Sequence, residues 1–239
     1  MKDIIALIAA MAITLPVAAA DKPVRIILVG DSTMAQRTGY GGALCLHFAP
    51  SVACINLAKG GRSSASFRAE GRWDEVQALL RDGASFSASY VLIQFGHNDQ
   101  PGKPGRSTDL VTEYPINLAR YVHEASALGA VPVLVTPLTR RTFAGPNLKN
   151  DLAPWAAATR TVAAAEHARL LDLNALSYDA VQSMGQAEAD TLAMDTPPSA
   201  FDRTHLGPKG ASYFANLVAA GLARTVPEIA PLLVKGSAP

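Results

Sequence analysis

Cysteine, tryptophan and charge are all scarce in this chain of 239 residues: two cysteines, two tryptophans and 17% charged side chains. Two cysteines cannot make a disulfide scaffold, and their spacing suits no zinc motif. Cys45 and Cys54, nine positions apart, leave two outcomes open: one bridge between a helix and the next strand, or two small buried apolar residues. Lysine and arginine number 21 against 20 aspartates and glutamates, a formal net charge of +1. That balance lacks the broad basic footprint of a nucleic-acid binder. There is no internal repeat, heptad run or low-complexity tract, which excludes solenoids and coiled coils. At 49% hydrophobic the chain is rich enough to bury a core, which excludes an acidic disordered segment.

Long apolar runs are also missing after the first twenty residues. Lys2, the apolar stretch Ile4–Val17 and the small residues Ala18–Ala20 have the layout of a secretory signal peptide cut before Asp21. The stretch is shorter than the ~20 residues a spanning helix needs, which disfavours an uncleaved anchor. The expectation is an exported protein, periplasmic or extracellular, with one domain over residues 21–239 and no membrane association after cleavage. No interface signature points to an oligomeric state.

Five short runs rich in Val, Ile and Leu recur at Val24–Val29, Val52–Leu57, Tyr90–Phe95, Val131–Thr136 and Arg169–Leu173. They are continuous rather than alternating, as strands buried on both faces of a parallel sheet should be. Helical patterns lie between them. Leu118, Tyr121, Val122, Ala125 and Leu128 share one face, with Pro115 near the start and Gly129 past the end. Shorter patterns fall on Val76–Leu80 and Trp155–Ala165, and a last one runs from Pro208 through Leu222. Strand and helix in alternation predict a three-layer α/β/α sandwich with a five-stranded parallel sheet in flavodoxin-like order. Pro101–Arg106 and Phe143–Pro154 read as surface loops, and Ser177–Ala200 as an inserted helix plus loop.

In such a sheet ligands bind beyond the carboxyl ends of the strands. Gly30-Asp31-Ser32 follows the first run, Lys59-Gly60-Gly61-Arg62 the second, and Gly96-His97-Asn98-Asp99 the third; Asp202-Arg203-Thr204-His205 precedes the last helix. Acyl transfer needs a hydroxyl nucleophile, a base, a group that orients the base, and donors for the oxyanion. Ser32, His205 and Asp202 supply the first three. The N–H groups of Ser32 and Gly61 and the side-chain amide of Asn98 supply the donors. Each residue alone is commonplace: a serine there caps helices, and a Gly-Gly pair makes turns. Their arrival together at successive strand ends is what carries the argument.

The stretches GDSTMA (Gly30–Ala35), NLAKGGRSS (Asn56–Ser64), QFGHNDQ (Gln94–Gln100), TPLTRRTF (Thr136–Phe143) and DRTHLG (Asp202–Gly207) resemble the SGNH, or GDSL-type, hydrolases. Within that family the chain is most similar to the rhamnogalacturonan acetylesterases. The resemblance implies an esterase that removes acetyl groups from plant cell-wall polysaccharide through an acetyl-enzyme, with no cofactor and no metal. It maps the four name-giving residues onto Ser32, Gly61, Asn98 and His205, with Asp202 completing the triad. Tyr40 stands where relatives often carry tryptophan and is a candidate for the substrate pocket. Arg140 and Arg141 are candidates for binding galacturonate carboxylates, because the guanidinium fork suits that group. Arg62 is expected to brace its loop, and His97 to be a hydrogen-bonded structural residue. Other esters (acetylated xylan, a lipid, a thioester) and a non-catalytic carbohydrate-binding module are the competing readings. No G-x-S-x-G elbow is present, which argues against the unrelated α/β-hydrolases.

Overall fold

The computed structural model describes residues 22–194 and 201–234. The expected signal peptide and the tail of the expected 177–200 insertion lie outside the described residues. Strands form at β1 (Val24–Gly30), β2 (Val52–Asn56), β3 (Ala88–Gln94) and β4 (Val131–Val135). A two-residue hairpin, β5 (Phe143–Ala144) with β6 (Asn147–Leu148), precedes β7 (Arg169–Leu171). The main sheet is parallel throughout, in the order β2-β1-β3-β4-β7. That is the flavodoxin-like order expected from the sequence.

Helices α1 (Gly41–Cys45), α2 (Ser66–Ala69), α3 (Arg72–Arg81), α4 (Tyr114–Ala127), α5 (Ala153–Ala165), α6 (Leu173–Asp190) and α7 (Pro208–Thr225) connect and cover the strands. Alternate residues of β1 feed two separate cores, which explains the apolar run Ile26–Val29. Ile26 and Leu28 pack with Leu44 of α1, Val181 of α6 and Phe214 and Val218 of α7. Ile27 and Val29 pack with Trp73 and Val76 of α3, Leu118 and Tyr121 of α4, and Trp155 and Val162 of α5. Pro115 and Pro208 occupy first-turn positions, where the missing N–H costs nothing.

Two segments differ from expectation. The Phe143–Pro154 stretch contains the β5–β6 hairpin and the start of α5 rather than loop alone. The presumed insertion begins as part of α6, which starts at Leu173, directly after β7, and breaks at Gly185 (φ 73°, ψ 170°). Val181 and Ala189 are fully buried in the same core as α7, so the helical part of this segment contributes to the core rather than forming only an added cap. Cys45 and Cys54 are bonded, joining α1 to β2. No helix among the described residues is long and apolar enough to cross a membrane.

Candidate active site

The chain leaves β1 for β2 on one side and returns to β3 on the other, so the crevice beyond β1 and β3 is the topological switch point. Gly30 pairs with Gln94, which brings the turns after these two strands to the same level. Ser32 sits in the first turn and is nearly buried, at 7% exposure. The turn is built by its neighbours. Asp31 Oδ1 accepts from the Thr33 N–H and hydroxyl, both at 2.8 Å. Gln94 Nε2 donates to Thr33 Oγ1 at 2.6 Å, and the Tyr40 hydroxyl donates to Gln94 Oε1 at 2.6 Å.

Tyr40 is fully buried beneath the turn, so the structure corrects its assignment to the substrate pocket: it supports the Ser32 turn from below. Burial, with the Asp31 charge behind it, holds its phenol neutral, well above the ordinary value. His97 is buried too, with Nδ1 3.3 Å from Asp31 Oδ2. The Asp31 carboxylate is the polar group facing the ring, a contact too poorly aligned to count as a regular hydrogen bond, and the residue is structural as expected. Burial opposes the Asp31 charge, but His97 and the Thr33 donors outweigh it and lower its pKa.

The residues after β2 and β3 are held together by a carboxylate the sequence argument did not single out. Asp99 Oδ1 accepts from Ser64 N (3.0 Å), Ser64 Oγ (2.6 Å) and Thr108 Oγ1 (3.0 Å), while Oδ2 accepts from Gly96 N (3.0 Å). Burial pushes this carboxyl up to about 6, with the Ser64 and Thr108 donors working the other way. Asn98 is tied to the neighbouring loop: its Nδ2 donates to the Arg62 carbonyl at 3.1 Å and keeps a second N–H. Arg106 approaches Asn98 Oδ1 at 3.4 Å, which orients the amide. Gly61 has φ +80°, a conformation a side chain would strain, and so its N–H can turn toward the site. Arg62 braces this loop as expected, donating to Gly60 O at 2.7 Å and pairing with Glu70 at 2.9 Å.

Asp202 and His205 form a self-contained unit. Asp202 Oδ2 lies 2.7 Å from His205 Nδ1, while Oδ1 accepts from the Thr204 and His205 N–H groups, each at 2.9 Å. Burial raises the Asp202 pKa, but the His205 and Thr204 bonds dominate and hold it below the ordinary value. Arg141 clamps the same loop. Its Nη2 donates to the carbonyls of Asp202 (2.7 Å) and His205 (2.6 Å), and its own N–H to Arg203 O at 2.9 Å. The guanidinium is fully buried, and burial lowers it to about 10, still a cation at neutral pH. Arg141 therefore cannot meet a substrate carboxylate, a second correction. Arg140 bonds Thr204 Oγ1 and is ion-paired with Asp151, so its charge already has an internal partner.

One residue joins the Ser32 turn to this loop. Thr38 Oγ1 donates to Ser32 O at 2.7 Å, and Thr38 O accepts from Leu206 N at 2.9 Å. Among the described residues no hydrogen bond joins the Ser32 hydroxyl to the imidazole itself. Ser32, Gly61, Asn98, Asp202 and His205 thus gather at one sheet edge, whereas Tyr40 and Arg141 lie beneath it. Sequence reasoning missed Thr38, Asp99 and Arg106; for Asp99 the only signal was its place in GHND, next to Asn98. Among the described residues no group of three or more His, Cys, Asp or Glu side chains is placed to hold a metal ion.

This geometry, on this sheet, is that of an SGNH acylhydrolase, and the chain belongs to the GDSL-like lipase/acylhydrolase family, whose model matches residues 28–213. It is 33% identical to "Probable rhamnogalacturonan acetylesterase YesY" of Bacillus subtilis, over 82% of this chain and 91% of that one. It is 32% identical to rhamnogalacturonan acetylesterase RhgT of the same organism, over 84% and 90%. The crystal structure of YxiM from Bacillus subtilis superposes with a TM-score of 0.71 at 24% identity, over 85% of this chain and 57% of that one. The acetylxylan esterase Axe2 of Geobacillus stearothermophilus shares the fold, with a TM-score of 0.61 at 19% identity over 84% and 93%.

Proposed function

We propose that this acylhydrolase is an exported serine acetylesterase that deacetylates plant cell-wall polysaccharide, with rhamnogalacturonan as the polymer. The observation that carries the catalytic part is the Asp202–His205 pair at 2.7 Å, on a loop that Thr38 ties to the Ser32 turn. The polymer is supported by two relatives named for rhamnogalacturonan that match more than four-fifths of the chain. Export is supported by the pattern of Lys2–Ala20.

In this mechanism Ser32 Oγ bonds to the acetyl carbonyl carbon as its proton passes to His205 Nε2. The carbonyl π pair moves onto oxygen, where the N–H groups of Ser32 and Gly61 and the second amide N–H of Asn98 receive it. Asp202, accepting from Nδ1, holds the tautomer that leaves Nε2 basic and stabilises the imidazolium. Collapse of the tetrahedral adduct breaks the bond to the sugar oxygen, which takes the proton from Nε2. Water then attacks acetyl-Ser32 with the same base, releasing acetate and restoring the hydroxyl. The Oγ–imidazole hydrogen bond forms as substrate binds, since catalytic hydrogen bonds commonly close only in the complex.

Acetate release from acetylated rhamnogalacturonan, acetylated xylan, aryl acetates and long-chain acyl esters tests the reading. Faster turnover of the pectic polymer than of xylan supports it, and preference for xylan or long acyl chains overturns the polymer assignment. Ser32→Ala retaining ordinary turnover overturns the mechanism.

A further inference from the structure

We infer that the groove between residues 35–38 and 58–60 is an anion subsite that holds a uronate carboxylate next to the acetylated sugar. The inference rests on the site being that of a polysaccharide deacetylase and adds the residues that select an acidic polymer. The groove has a volume of about 310 Å³ and is bordered by Arg37, Thr38, Ala58, Lys59 and Gly60. It opens beside the nucleophile: a Cβ on Gly60 would lie 3.6 Å from Ser32 Cβ, and Thr38 bonds the Ser32 carbonyl.

Arg37 and Lys59 are both exposed, and neither has a side-chain hydrogen bond or ion pair among the described residues. Other cations at this edge are engaged: Arg62 by Glu70, Arg140 by Asp151 and Arg203 by Asp190, while Arg106 meets Asn98 Oδ1 and Lys103 donates to His97 O. Among the described residues no acidic side chain borders the groove. The Lys59 backbone is fixed, since its N–H donates to Gly30 O at 2.9 Å, so its side chain starts from a defined point beside the β1 turn. Two unmatched cations on one groove, in a protein of net charge +1, make a local attraction for a carboxylate rather than a whole-protein field. An aryl acetate is too small to reach them and carries no carboxylate, so it is blind to the subsite.

The test uses the full protein and the double variant Arg37→Gln/Lys59→Gln, two surface changes outside the catalytic machinery. Unacetylated oligogalacturonate should compete with aryl-acetate hydrolysis by the wild type, and about tenfold more weakly with the variant; kcat/KM for the aryl acetate should stay within about twofold. Raising the salt concentration should weaken inhibition of the wild type more than that of the variant. Equal inhibition of the two proteins, or none of the wild type, overturns the subsite. This readout needs no turnover of a polymer, so it stands apart from the acetate-release panel. A wild type that is inhibited by oligogalacturonate yet prefers acetylated xylan would keep the subsite and lose the polymer assignment.

Discussion

Replacing Arg141 by methionine separates a clamp from a substrate ligand, because the two roles predict different losses. The side chain donates from one nitrogen to two buried carbonyls at 2.7 and 2.6 Å, those of Asp202 and His205. Each such bond from a charged donor is worth about 1.5–3 kcal/mol, so deleting both removes about 3–6 kcal/mol. Relief from burying the guanidinium returns part of that, leaving a net loss of roughly 2–4 kcal/mol. For a chain of this size each kcal/mol lowers the melting temperature by about 2–4 °C, which predicts a drop of roughly 5–15 °C. If the loop slackens instead of the whole domain, the cost appears in turnover: a shift of the imidazole by about 1 Å costs on the order of 10² in kcat. Thermal unfolding and aryl-acetate hydrolysis, measured together, read both outcomes. Arg141→Lys keeps the charge but loses the planar fork and should fall between wild type and Arg141→Met. A methionine variant with a melting temperature within about 2 °C of wild type and unchanged kcat would refute the clamp. So would a defect confined to acidic polymers.

Other expectations follow from the same geometry. Asn98→Ala removes one oxyanion donor and should lower kcat on the order of 10²–10³-fold with little change in KM, measured on an aryl acetate. Asp99 is held at about 6 in the folded protein, above its ordinary value of 3.8. The folded state therefore binds the extra proton between those limits, and stability falls as pH rises from about 4 to about 6, by up to about 3 kcal/mol. Asp99→Asn should flatten that segment of a denaturant-midpoint profile, and it should destabilise at every pH because its amide would face the Gly96 N–H. Asp202 has the opposite sign: its contribution is present above the ordinary carboxylate value and fades as pH drops through its lowered one, an acid limb that Asp202→Asn should shift in chemical denaturation. Reducing the Cys45–Cys54 bridge reopens a short loop and should cost about 2.5–3 kcal/mol, measured by melting with and without reductant.

The parallel sheet was legible because its centre is buried on both faces: Ile26–Val29 of β1 has to be apolar at successive positions to feed two cores, and that run survives in the sequence. The site was legible to the extent that its residues follow strand ends, which fixes their edge of the molecule. The direction of a side chain was not. Arg140 and Arg141 are adjacent and alike in the sequence, yet one is ion-paired to Asp151 and the other is drawn inward by carbonyls that the 202–205 loop exposes. Those carbonyls come from a segment some sixty positions away and leave no local mark. Tyr40 lies inward for a similar reason, since its partner Gln94 comes from β3. The start of α6 was misplaced because its apolar stripe is weak and interrupted at Gly185.

The join between Thr38 and Leu206 closes a loop of more than half the chain. Ordering a pairing so remote has to wait for the intervening layers to dock, since only they bring the ends within reach. Turnover should accordingly be among the last properties a refolding molecule regains, after its circular dichroism signal. A nascent polypeptide halted before residue 201 would hold Ser32 without the Asp202–His205 pair and should remain inert, a passive safeguard during synthesis.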